Sequence, residues 1–94
     1  MPTIGEIDSE MRQDFIERLK RVEGQARGIQ KMIEDERDCE QVLTQVASMK
    51  AAIHALSGQM LEAWALYCIG NPDQFSSPDV AARKMVDLVV KHSR

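Results

Sequence analysis

Two cysteines, Cys39 and Cys68, are the residues of this chain best suited to covalent or soft-metal chemistry, and they stand 29 positions apart. Both fall on what reads as one long helix. At 1.5 Å per residue they are roughly 43 Å apart within a chain and cannot meet there. In an antiparallel pair of such helices, Cys39 of one chain comes near Cys68 of the other, which gives two equivalent thiol pairs per dimer. Two uses are open at this point: a functional pair, or two buried core thiols, the commonest fate of free cysteine. Two cysteines do not make a disulfide scaffold. The opening MPTIGEIDSE lacks a basic stretch followed by an apolar one, so the expected setting is a reducing cytoplasm.

The second chemical signal is charge. Between residues 18 and 31, Arg18, Lys20, Arg21, Arg27 and Lys31 stand against Glu23 alone. Between residues 32 and 40 the balance inverts, with Glu34, Asp35, Glu36, Asp38 and Glu40 against Arg37. The whole chain is acidic, with a net charge of −3 and a pI near 5.3, so any nucleic-acid role rests on that local basic stretch. It suits DNA phosphates. It equally suits a solvated helix face laced with ion pairs, and no helix-turn-helix or zinc-finger pattern decides between them. His54 lies in the middle of the long helix, and His92 near the C-terminus complements a helix dipole. Carboxylates are scattered without an acid/base pair. No Gly-rich phosphate loop, HExxH or nucleophile elbow is present, so an enzyme is not expected and no cofactor is implied.

The elements that position these residues follow from composition and period. A chain of 94 residues allows one domain, 1–94. Aromatics are only 4%, there are five Gly and three Pro, and helix formers are abundant, which argues for an all-α fold. No apolar run reaches the ~18 residues of a membrane span. The first helix starts near Asp8 or Ser9, with an apolar seam at Met11, Phe15, Leu19, Val22, Ala26, Ile29 and Ile33. Gly24 and Gly28 interrupt it, each at about 1 kcal/mol against Ala, so a close neighbour is expected there. The carboxylates of Glu34, Asp35 and Glu36 oppose the dipole and stop the helix. Asp38–Gln41 reads as a capping box opening a second helix. That helix runs about 30 residues, roughly 45 Å, to a stop at Gly70-Asn71-Pro72. One stripe holds Val42, Val46, Met49, Ile53, Leu56, Met60, Ala63 and Tyr67. A second, with Leu43, Ala47, Ala51, Leu61, Ala65 and Cys68, lies beside it. So wide an apolar arc needs a second subunit to cover it. Ser77-Pro78-Asp79 opens a third helix, with Val80, Met85, Leu88 and Val89 as its apolar face and Lys91, His92 and Arg94 at its end. The architecture is three helices, short-long-short, in an antiparallel bundle dimer or a dimer of dimers.

The stretch RLKRVEGQARGIQKMIEDERDCEQVLTQVASMKAAI, residues 18–53, resembles the CsoR/RcnR family of bacterial repressors. The specific pattern is the basic and hydrophobic alternation leading into Glu23-Gly24-Gln25, followed by Asp38-Cys39. The resemblance extends from about Arg18 to the C-terminus. It implies an all-helical dimer assembling into a tetramer that binds operator DNA until an inducer arrives. The DNA contacts it implies come from the basic face of the first helix, with second-helix cations such as Lys50. The family reads its inducer with a Cys at the start of the long helix, here Cys39, and a His-x-x-x-Cys motif near the other end on the partner subunit. Here that motif reads Trp64-Ala65-Leu66-Tyr67-Cys68: the Cys matches and Trp64 takes the His position. Copper sensors of the family use Cys, His and Cys for trigonal Cu(I), whereas an indole nitrogen is a donor only. What remains is two thiols, which resembles the CstR branch that senses persulfides. The expected mechanism is thiolate attack on sulfane sulfur and an intersubunit polysulfide crosslink between Cys39 and Cys68. Two alternatives stay open: two-coordinate Cu(I) on Cys39 and Cys68, and formaldehyde crosslinking the Pro2 amine to Cys39.

Overall fold

The computed structural model describes residues 3–71, 73 and 75–92. Among these the chain forms a short 3₁₀ turn at Ile4–Glu6 and three α-helices: α1 (Ser9–Glu34), α2 (Cys39–Gly70) and α3 (Pro78–His92). The all-α expectation holds, with one adjustment of proportion. At 26 residues α1 is nearly as long as the 32-residue α2, and only the 15-residue α3 is short.

The caps show why the chain breaks where it does. Asp8, not Ser9, caps α1: its carboxylate accepts from the Met11 N–H at 3.3 Å. At the other end Glu36 adopts a left-handed backbone, φ 56°. The Glu36 N–H then reaches the Ile33 carbonyl at 3.1 Å and the Arg37 N–H reaches the Met32 carbonyl at 3.0 Å. This paired closure is a Schellman motif with glutamate in the place glycine usually takes. Backbone geometry therefore ends α1, where charge against the dipole was the expected cause. The capping box expected at Asp38 forms only in half. Its carboxylate accepts from the Gln41 N–H at 3.3 Å, but the Gln41 Oε1 turns outward and accepts from Arg37 Nε and Nη2 at 3.2 and 3.0 Å. A bidentate guanidinium outcompetes a single backbone N–H for that oxygen. Asn71 caps the end of α2 and donates from Nδ2 to the Tyr67 carbonyl at 3.0 Å; Pro72, the expected stop, lies outside the described residues. Ser77 caps α3 as expected, its Oγ accepting from the Val80 N–H at 3.2 Å. Arg94 lies outside the described residues.

Residues 35–38 turn α1 back along α2, and α3 packs on α2. The core sits where the first half of α1 meets the second half of α2: Ile7, Phe15, Leu56 and Ala63, with Tyr67 packed against them. Ile7 belongs to an N-terminal arm with no expected structure. The protomer measures 55 × 26 × 13 Å, a slab about one helix thick. A slab buries little. Of the expected α1 seam, Phe15, Val22, Ala26 and Ile29 turn inward, whereas Met11, Leu19 and Ile33 are exposed. On α3 the inward face is Ala81, Met85 and Leu88, and Val80 and Val89 look out. Leu43 at 67% and Ile69 at 72% leave both ends of α2 apolar toward solvent. The close neighbour expected at Gly24 and Gly28 is not supplied by the protomer: a Cβ at either would meet nothing within 4 Å.

Candidate sensing site and nucleic-acid face

The two thiols occupy opposite ends of α2 and contrasting environments. Cys39, the first residue of α2, is exposed. It borders a shallow hollow of about 410 Å³ with Ile33, Arg37, Val42 and Leu43. Cys68 is 4% exposed, and burial pushes its thiol pKa up by disfavouring the thiolate. Within one protomer the described residues bring together no group of three His, Cys, Asp or Glu side chains that could hold a metal ion. His54 is exposed. Any site that uses both cysteines needs two chains.

Trp64 sits one helical turn before Cys68, on the same side of α2. Its ring meets Phe75 edge to face, with centroids 6.2 Å apart and planes at 85°. The indole Nε1 is buried and has no acceptor. A nitrogen that only donates gives a metal no lone pair, so the indole of Trp64 has nothing to offer as a ligand. Tyr67, beside Cys68, has its hydroxyl pKa raised by burial, then by the Glu6 carboxylate, then by Cys68. Glu6 and Tyr67 are site neighbours that sequence reasoning missed. The pattern Thr3-x-x-Glu6, a capping-box signature, was the available clue to an ordered arm.

The basic residues separate into groups. Lys20, Gly24, Arg27 and Lys31 recur at steps of 4, 3 and 4, one exposed stripe of α1 opposite the half-buried Val22 and Ile29. Arg27 is held by Glu23 at 2.6 Å and Lys31 lies 3.8 Å from Asp35. Arg21 is exposed at the flank. Arg18 is less open than these, and its Nε donates to Asp14 Oδ2 at 2.8 Å in a pair that stays exposed to solvent. Lys50 is exposed on α2. Pro2 lies outside the described residues.

The protomer is a flat α-hairpin with a basic outer stripe and a Cys near each end of its long helix, and residues 11–91 match the family described as metal-sensitive transcriptional repressor. The chain belongs to this family. The copper-sensing transcriptional repressor CsoR of Bacillus subtilis is 30% identical over 92 residues, covering 98% of this chain and 91% of that protein. The copper-sensing transcriptional repressor RicR of Mycobacterium tuberculosis is 34% identical over 61 residues, covering 65% of this chain and 64% of that protein. Among solved structures, the copper-sensing repressor CsoR with Cu(I) from Geobacillus thermodenitrificans superposes with a TM-score of 0.80 at 32% identity, over 100% of this chain and 94% of that one. This is a family of transcriptional repressors and not of enzymes. The named relatives sense copper, which backs the copper alternative over the persulfide expectation. Among the described residues no helix is long and apolar enough to cross a membrane.

Proposed function

We propose that this repressor binds operator DNA through the α1 stripe of Lys20, Arg27 and Lys31, with Arg18, Arg21 and Lys50 at its margins. Its two cysteines sense the inducer across a subunit boundary in an antiparallel dimer or dimer of dimers. The observation that carries the site is the placement of Cys39 and Cys68 at opposite ends of one 32-residue helix, where only a second chain can unite them. The relatives support Cu(I) as inducer. Two thiolates, from Cys39 and Cys68 of the partner subunit, are soft donors that fit Cu(I) as a two-coordinate pair. Bound there, the ion would tie two α2 helices and bias the assembly away from its DNA-binding shape.

A second reading, reactive sulfur, is favoured by Trp64, which removes the third lone pair a trigonal copper site needs. In that reading a Cys39 thiolate attacks a sulfane sulfur and displaces a thiolate from the donor, leaving a Cys39 persulfide. The thiolate of Cys68 of the partner subunit attacks in turn and expels hydrosulfide, giving a covalent dimer. One experiment separates them: release from the protein's own upstream DNA, driven by Cu(I) or by sodium tetrasulfide, with parallel non-reducing electrophoresis and mass spectrometry. Copper sensing gives release at stoichiometric Cu(I) with no reductant-sensitive dimer. Sulfur sensing gives a dimer lost in Cys39→Ser and Cys68→Ser. Release by neither, or no DNA binding at all, refutes the proposal.

A further inference from the structure

The N-terminal arm, Thr3–Ile7, precedes the residues matched by the family, which begin at Met11. It is nevertheless built into the core. Ile7 is 7% exposed and packs with Phe15, Leu56 and Ala63, and Tyr67 joins that cluster. The arm holds a fixed shape: the Thr3 N–H donates to Glu6 Oε2 at 2.9 Å and the Ile7 N–H to the Ile4 carbonyl at 3.2 Å. Arg12 Nε donates to the Ile7 carbonyl at 3.1 Å and ties the arm to α1. Thr3, Ile4 and Ile7 form one wall of a groove of about 400 Å³ whose other walls include Trp64 of α2 and Leu88 and His92 of α3. The arm therefore packs in the cluster that Tyr67 joins, one position before Cys68, and faces Trp64, one turn before it, across the groove. The Glu6 carboxylate lies close enough to Tyr67 to add to the rise that burial gives its hydroxyl.

We infer that the N-terminal arm, docked through Ile7 over the Trp64–Tyr67 end of α2, is a cover that limits access to Cys68, and that its undocking opens this thiol to the inducer. The cover stands on the geometry above; its regulatory consequence rests on Cys68 being a sensing thiol. Local opening of so small a unit costs less than global unfolding, so the arm sets the reactivity of Cys68 without melting the hairpin.

The test uses the full chain in a Cys39→Ser background, where Cys68 is the sole thiol, with N-ethylmaleimide as the probe. Ile7→Ser undocks the arm at its anchor. Glu6→Ala with Arg12→Ala loosens it while leaving the core side chains in place, which guards against a variant that does not fold. Both variants should alkylate Cys68 on the order of tenfold faster than the background, with helicity by circular dichroism unchanged. In the cysteine-complete chain the same substitutions should lower the inducer concentration that half-releases DNA. An unchanged alkylation rate in the double variant overturns the cover. A faster rate with an unchanged inducer dose overturns its regulatory role. Because alkylation is read without DNA, failure of the repressor proposal does not disturb the first result.

Discussion

At the scale of single residues, the two thiols differ in reach and in ionisation. Cys39 is exposed, and Cys68 is buried with its pKa raised by that burial. Because thiolate is the attacking species, iodoacetamide near neutral pH should label Cys39 first. Cys68 should lag, and its labelling should accelerate as pH climbs above the ordinary thiol range; mass mapping of a time course at several pH values reads both. In the proposed site Trp64 leaves the two thiols as the donors. Trp64→His supplies an imidazole lone pair one turn from Cys68 and should tighten Cu(I) binding tenfold or more, on the order of 1.4 kcal/mol, in competition with a colorimetric chelator. Equal affinity in the two chains would show that position 64 lies off the metal. On the basic stripe, Lys20→Ala and Lys31→Ala should each reduce the slope of log affinity for operator DNA against log salt by about one. The pair between Arg18 and Asp14 does not withdraw Arg18 from this role, since an exposed i,i+4 pair is worth only about 0.3–0.5 kcal/mol.

At the scale of elements, α1 ends on a residue poorly suited to its backbone. Glu36 holds φ 56° with a Cβ that glycine lacks. Glu36→Gly keeps the Schellman closure and removes a left-handed penalty of roughly 1 kcal/mol. Its thermal midpoint should rise, and Glu36→Val should lower it. The glycines within α1 make a contrasting case. Gly24 meets nothing within 4 Å of a built Cβ, so Gly24→Ala should stabilise the helix by about 1 kcal/mol. Gly24 also lies on the stripe of Lys20, Arg27 and Lys31. A stabilised chain that binds operator DNA less well would place the missing close neighbour in the DNA. The arm teaches the same lesson about elements: a 3₁₀ turn of three residues is below the reach of periodicity, yet Ile7 fills the core between Phe15 and Leu56.

At the scale of the whole molecule, a slab 13 Å thick cannot bury both stripes of α2. Leu43, Ile53, Met60, Leu66 and Ile69 are exposed along that one helix, more apolar surface than a stable monomer leaves to water. The chain should therefore sediment as a dimer or tetramer at micromolar concentration, and its thermal midpoint should rise with concentration because assembly binds the folded state. Leu43→Glu and Ile69→Glu each place a charge on this surface and should shift sedimentation toward the monomer. A stable folded monomer of the unaltered chain would remove the basis for uniting Cys39 with Cys68.

The helices, their order and most of their caps were legible in the sequence because they depend on local physics. Asp8, Asp38 and Ser77 satisfy N–H groups three residues away, and apolar steps of 3 and 4 mark a helix wherever they occur. The two thiols and the basic stripe were legible for the same reason, as residue types at a countable spacing on such helices. What the sequence could not decide was which members of a seam face inward. Met11, Leu19 and Ile33 share the spacing of Phe15, Val22 and Ile29, but only the position of α2 determines which are covered. The same holds for Gln41, whose amide chose the Arg37 side chain over a backbone N–H, and for Glu36, whose left-handed backbone follows from the path the chain must take back along α1. The contrast between the exposed Cys39 and the buried Cys68 is likewise tertiary. Nothing in either local sequence records it, because burial is a property of what the rest of the chain brings alongside.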